Sequence, residues 1–199
     1  MSSVTTVVQS LGVAYAAGIN LPATVAVLGV ADRAGWISPL PGALHAVSNI
    51  WVIGLAVTLY VIEFMVTLVP GVASLWETAQ SFIRPPAAAF LAAATAYQLE
   101  SPYTVIAALL GGGLALTTHG TKLGLRYAVD TSPEPVTNAA ANVAEFATVS
   151  TIALFVWNHP YLTLSTAILL LVLLILLVRR IIKTVRRLFR GEVAGSVTT

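Results

Sequence analysis

Long apolar runs separated by short Pro- and Gly-rich breaks dominate this chain. A membrane-spanning helix needs roughly 20 mostly apolar residues, and several runs approach that length. The first covers Thr5 to Ala31 and is interrupted by Gly18, Asn20 and Pro22, a pattern that predicts a kinked or broken helix. Such interruptions are tolerated at membrane depth where the backbone is buried in protein or lines a cavity. A loop follows over residues 32–47. The second run, Ser48–Val69, contains Glu63 and stops at Pro70-Gly71.

From Val72 to Ile83 the apolar Leu75, Trp76, Ala79, Phe82 and Ile83 alternate with Glu77 and Gln80, the spacing of a short helix lying at the membrane interface. Arg84-Pro85-Pro86 opens an Ala-rich segment to Gln98, short for a span and either incomplete or re-entrant. The fourth run, Tyr103–Tyr127, begins apolar, passes through Gly111, Gly112 and Gly113, and then carries His119, Lys122 and Arg126. After the DTSPEP loop (130–135), a fifth run, Val136–Trp157, holds Asn138, Asn142 and Glu145. A sixth, Tyr161–Val178, is uniformly apolar and faces lipid on that account.

The pattern predicts an all-α integral membrane protein with about six transmembrane helices. Residues 1–182 form one helical domain, and residues 183–199 form a basic tail. Composition agrees: 57% of the 199 residues are hydrophobic and 9% are charged, against roughly 25% charged in a soluble domain. Six of the ten Lys and Arg residues, from Arg179 to Arg190, follow the last apolar run. A basic patch in that place reads as an anchor on anionic lipids rather than a nucleic-acid site. By the positive-inside bias it is cytoplasmic, in a multi-pass protein of the cell membrane. Ala14-x-Ala16 mimics a signal-peptidase site, but no basic segment precedes it, so the N-terminus reads as the start of a mature helix.

An internal 3+3 inverted repeat (5–98 and 103–182) is a further expectation. Residues 16–29 can be laid on 110–124 with Gly18 on Gly113 and Gly29 on Gly124. Each segment is followed by a Glu-Phe pair, Glu63-Phe64 or Glu145-Phe146. Inverted repeats with Gly- or Pro-interrupted helices point to a midplane transport site. Gly18, Pro22, Gly112 and Gly113 are the candidate structural breaks.

Charge inside such helices is expensive, at least ~2.5–3.5 kcal/mol at the bilayer centre, and persists where it is paired or functional. His119, Lys122 and Arg126 are spaced i, i+3, i+7; Asn138, Asn142 and Glu145 are spaced i, i+4, i+7. Each set shares a helix face. Consecutive helices joined by a short loop pack side by side, so Lys122 is expected to meet Asn142 or Glu145. Tyr60, Glu63 and Thr67 share a third face.

Two carboxylates and one ammonium would leave a net negative site for a proton, a cation or a cationic group on a substrate; alternatively, Lys122, Arg126 and Arg84 near the cytoplasmic boundary would bind a phosphate or lipid headgroup, so the site is open to a small ion, a solute or a lipid headgroup. The leading reading is thus a small transporter or channel-like protein, with homodimerisation open. The alternatives are a scaffold subunit with a structural polar network, and a membrane-embedded enzyme on a lipid headgroup with Glu and His as acid and base. Catalysis is the least favoured, and no catalytic residue, cofactor or metal site is expected. Cysteine is absent, His45, His119 and His159 are dispersed, and the Gly triplet lacks phosphate-loop spacing. Trp36, Trp51, Trp76 and Trp157 fall near span ends, as in an aromatic belt.

The stretch 111–146 resembles the small bacterial membrane proteins grouped as domain of unknown function 4126. The likeness rests on Gly112 and Gly113, then His119, Lys122 and Arg126. The Ser132-Pro133-Glu134-Pro135 loop, Asn138 and Glu145 complete it. Gly18, the Ile62-Glu63-Phe64 triplet and Arg84-Pro85 extend it over most of residues 10–160. The chain departs from that pattern after Glu63, where Thr67, Val69 and Ala73 stand in a stretch richer in Asp in the family. The resemblance implies a membrane protein with a polar cluster and implies no reaction.

Overall fold

A computed structural model describes residues 2–69, 71–130 and 135–195; the side chains of 128–130, 135, 181 and 184–195 lie outside the description. Ser132, Pro133, Glu134 and Pro70, and the side chains of Pro135, Arg186, Arg187 and Arg190, therefore lie outside the described residues. Among the described residues the chain is helical throughout, with no strand.

The helices are α1 (Ser3–Ile19), α2 (Leu21–Arg33), α3 (Ile50–Thr67), α4 (Val72–Gln80), α5 (Arg84–Thr95), α6 (Ser101–Asp130), α7 (Pro135–Phe155) and α8 (Pro160–Gly195). A 3-10 turn, Gly42–Ser48, lies between α2 and α3. Among the described residues three stretches are long and apolar enough to cross a membrane: Ile50–Thr67, Ser101–Tyr127 and Pro160–Arg180. α1 is apolar at 17 residues. α5, at 12 residues, is about 18 Å long, well short of the roughly 30 Å hydrocarbon core.

The first apolar run does break, and the break has a local cause. Pro22 has no N–H, so the carbonyl of Gly18 loses its helical partner. Asn20 is extended (φ −151°, ψ 104°), and its Oδ1 accepts the Ala23 N–H at 2.9 Å, capping α2. In a continuous helix that N–H would go to the Ile19 carbonyl, which is instead released.

Small residues set the packing. The core contains Val13, Ala14, Ala17, Leu28, Ala88, Ala92, Ala115, Ala153 and Val156. α1 is buried continuously from Ser10's neighbour Gln9 to Ile19, apart from Leu11, and lies against α5, α6, α7 and α8. A helix buried all round is the centre of its bundle.

Gly18 sits at the α1–α6 crossing, where an added Cβ would come 2.8 Å from the Ala115 Cα; at Gly111 it would come 2.6 Å from the Ala92 Cβ of α5. α6 runs unbroken through Gly111, Gly112 and Gly113. Gly111 and Gly112 therefore serve close helix approach rather than a break, and nothing lies within 4 Å of an added Cβ at Gly113.

The outside is apolar. Trp51, Leu55 and Met65 of α3 and Leu169, Leu173 and Leu176 of α8 point outward, the arrangement of a membrane protein. α4 and the turn after it follow suit: Leu75 of α4 and Phe82 beyond its end are 72% and 81% exposed while Glu77 is fully buried. The polar side of α4 faces the protein interior rather than water. Trp36 and Trp51 are exposed, but Trp157 belongs to the core and departs from the belt expectation.

Candidate functional site

The released Ile19 carbonyl organises a buried ionic cluster. It accepts from Lys122 Nζ and from Arg84 Nη1, both at 2.9 Å. The open end of a helix carries partial negative charge, which favours cations. Lys122 Nζ lies 2.8 Å from Glu77 Oε1, 2.8 Å from Glu145 Oε2 and 3.6 Å from Glu63 Oε1. The ammonium therefore donates to the Ile19 carbonyl and is ion-paired with Glu77 and Glu145.

Arg84 is completely buried. Its Nη2 donates to Glu63 Oε1 at 2.5 Å and its Nη1 to Glu77 Oε2 at 2.8 Å. Asn20 Nδ2 donates to the same Glu63 oxygen at 2.8 Å, so the residue that breaks the helix also fixes the carboxylate of α3. Glu63 Oε2, Glu77 Oε1 and Arg84 Nε are buried without a hydrogen-bond partner, Glu77 Oε1 keeping only its ion pair with Lys122.

Arg126 extends the cluster along α6. Its Nη2 donates to Asn142 Oδ1 at 2.6 Å and to Glu145 Oε1 at 3.2 Å, and its Nη1 donates to Asn138 Oδ1 at 3.3 Å. Asn142 Nδ2 donates in turn to Thr67 Oγ1 at 2.9 Å, joining α7 to α3. His119 presents Nε2 to the Glu77 carbonyl at 3.0 Å and Nδ1 to Arg84 Nη1 at 3.2 Å. Since Arg84 can only donate, Nδ1 accepts and Nε2 carries the proton, the neutral tautomer.

Glu63, His119, Lys122, Arg126, Asn138, Asn142 and Glu145 thus all meet in one network. Tyr60 does not join it; its ring packs on Phe146 at 5.2 Å between centroids. Two further charged members were not expected in this network. Glu77 looked like the wet side of an interfacial helix, and Arg84 looked like a boundary residue. One signal was available: Glu77 and Arg84 carry opposite charge seven residues apart in a chain with few charges.

They change the electrostatics. Glu63, Glu77 and Glu145 are matched by Arg84, Lys122 and Arg126, so the expected net negative site is charge-balanced. One oxygen from each of the three carboxylates can be chosen so that all lie within 4.8 Å of one another, a grouping that would suit a metal ion. The Lys122 ammonium stands within reach of all three.

The cluster is sealed on most sides and approached on one. A cleft of about 300 Å³ between α1, α6, α7 and α8 has Lys122 and Glu145 among its lining residues and otherwise mostly apolar walls. Away from the cluster, Asp32 accepts from His45 Nδ1 at 2.9 Å, from the Leu40 N–H at 3.0 Å and from Ser48 Oγ. These contacts tie the loop after α2 to the 3-10 turn. Burial pushes the Asp32 carboxyl up, but the Ser48 and Leu40 hydrogen bonds and His45 outweigh it, and the net direction is downward.

No curated protein and no solved structure matches this chain. Residues 7–180 match the family described as Domain of unknown function (DUF4126), and the chain belongs to it.

Proposed function

We propose that the protein is a small multi-pass transporter that moves a cationic solute through the cluster at the α1–α2 break. One observation carries this reading. Lys122 Nζ occupies a seat made of the Ile19 carbonyl, Glu77 and Glu145, with Glu63 at 3.6 Å. Those are the ligands a mobile cation would need. Discontinuous helices whose freed carbonyls and C-terminal ends coordinate cations are a recurring feature of secondary transporters. The ammonium acts as a resident cation that holds the site closed until a substrate competes for the carboxylates.

Convergence of Glu63 from α3 and Glu145 from α7 on one lysine favours the 3+3 inverted repeat. A six-span arrangement with the basic end of α8 against the anionic lipids of the cytoplasmic leaflet completes the proposal.

The test is flux of alkylammonium ions, monovalent metal cations and protons into liposomes containing the full chain, with Glu63→Gln and Glu145→Gln alongside. Flux lost in both variants is the expected result. Flux unchanged in both, or absent from the parent protein, overturns the reading.

A second reading, a structural network in a scaffold subunit, is favoured by the three-to-three charge balance. It predicts that the same substitutions lower stability with no flux to lose. His119 is 1% exposed and held by Glu77, Arg84 and Ser81, which argues against acid–base catalysis on a lipid headgroup.

A further inference from the structure

We infer that the cleft between α1, α6, α7 and α8 is a binding site for an amphipathic organic amine, a primary ammonium on an apolar body, with Glu145 as its anchor. The inference rests on the transport reading and names its substrate class.

Shape and lining set the apolar part. Tyr15, Leu125, Leu171 and Leu174 contribute to the walls, and the volume is about 300 Å³. That lies at the lower end of small-molecule pockets, roughly 300–1,000 Å³. A slender hydrocarbon body suits it, whereas a hydrated inorganic ion would leave those walls unsatisfied.

The polar end fixes the sign of the head. The Lys122 charge is already held, by a hydrogen bond to the Ile19 carbonyl and by ion pairs at 2.8 Å to Glu77 and Glu145. Glu145 differs from its two companions. Its side chain is 18% exposed, against 3% for Glu63 and 0% for Glu77. Each of its oxygens accepts one bond, from Arg126 or from Lys122, while an ionised carboxylate has about four acceptor positions. The cleft therefore ends on a carboxylate with open lone pairs. It is complementary to a donor-bearing cation; a carboxylate or phosphate head would meet like charge.

An ammonium arriving there would compete with Lys122 for Glu145 Oε2. Because Lys122 also lines the cleft, the displaced side chain has adjoining space. No bond is made or broken in this exchange; one ammonium replaces another on a shared carboxylate.

Radiolabelled decylammonium binding to the full chain in phosphatidylcholine nanodiscs tests this, with empty nanodiscs as background. Saturable binding at one site per chain is expected, with decanol and decanoate unable to compete. Glu145→Gln should weaken it about ten- to hundredfold, the range for losing a hydrogen bond to a charged group. Ala144→Phe, which fills the cleft from a lining position outside the ionic cluster, should weaken it similarly and guards against a folding defect in the first variant.

Competition by decanol equal to that of unlabelled decylammonium overturns the site, as does unchanged binding in Ala144→Phe. Cation flux without saturable amine binding would overturn this inference and leave the transport reading standing. Amine binding that Ala144→Phe abolishes, without flux of any cation, would leave the site standing and overturn transport.

Discussion

The Lys122 ammonium lies 2.8 Å from Glu77 Oε1, on a nine-residue helix whose apolar side chains point outward. α4 is therefore tied to the bundle by charge. Its Glu77 completes the anionic half of the cluster, and Arg84, at the start of the next helix, supplies part of the cationic half. Buried ion pairs repay their desolvation only when geometry is good and remaining polar groups are bonded; the pairing distances here are short, while Glu63 Oε2, Glu77 Oε1 and Arg84 Nε lack a hydrogen-bond partner.

Removing one charge should therefore be worse than removing two. Lys122→Met leaves Glu77 and Glu145 facing each other without their shared cation, at a cost of about 3–5 kcal/mol. The double variant Lys122→Met/Glu77→Gln restores neutrality and should lose clearly less than the sum of the single variants. Unfolding in mixed micelles, run as a double-mutant cycle, measures the coupling; additive losses would contradict the ion pair.

Asn20 has two roles, and both should register. Asn20→Ala deletes the cap on Ala23, worth about 0.5–2 kcal/mol, and the Nδ2 donor to Glu63. Asn20→Asp keeps the cap but places a second carboxylate beside Glu63. It should be at least as destabilising as Asn20→Ala, so the order of the two melting temperatures separates capping from charge.

The glycines divide by what surrounds them. Gly18→Val and Gly111→Val overpack the α1–α6 and α5–α6 crossings and should cost about 1–3 kcal/mol. Gly113→Ala meets nothing within 4 Å and should stabilise α6 by about 0.5–1 kcal/mol, the helical difference between the two residues. Thermal unfolding of the three variants should show shifts of opposite sign.

Asp32 makes part of the stability pH-dependent. Its carboxyl is held below the ordinary carboxylate range, about 3.9 when unfolded. The folded state thus favours the ionised form. The stabilisation is fully present above that unfolded value and is lost as pH falls through the lower folded one. The difference in melting temperature between the parent protein and Asp32→Asn should hold steady down to about pH 4 and shrink below it. A difference that grows on acidification would contradict the assignment.

Much of the site was legible because helix periodicity is local. Spacing alone put His119, Lys122 and Arg126 on one face and Asn138, Asn142 and Glu145 on another, and all but Glu145 are buried, with Glu145 partly so. The break near Asn20 followed from Gly18, Asn20 and Pro22 interrupting the first apolar run; the Asn20 cap emerged from the fold. Glu77 and Arg84 were missed for a physical reason. A short amphipathic helix has the same pattern whether its polar side meets water or a buried lysine. In the bilayer the second choice places Leu75 and Phe82 against lipid. Gly111 and Gly112 were ambiguous in the same way, since a tight crossing and a break both call for a missing Cβ.

By itself the sequence determined the helical class, the apolar runs, the place of the first break and two of the three polar faces. Each follows from interactions within one or two turns of chain. Tertiary structure decided which way α4 turns, that Glu77 and Arg84 join Glu63 and Lys122, and that charge balances three against three. It also decided that Glu145 alone of the three glutamates borders the cleft. Those outcomes depend on which helices meet. In a medium with no water to satisfy a charge, that is settled by the requirement that every buried cation find its anion.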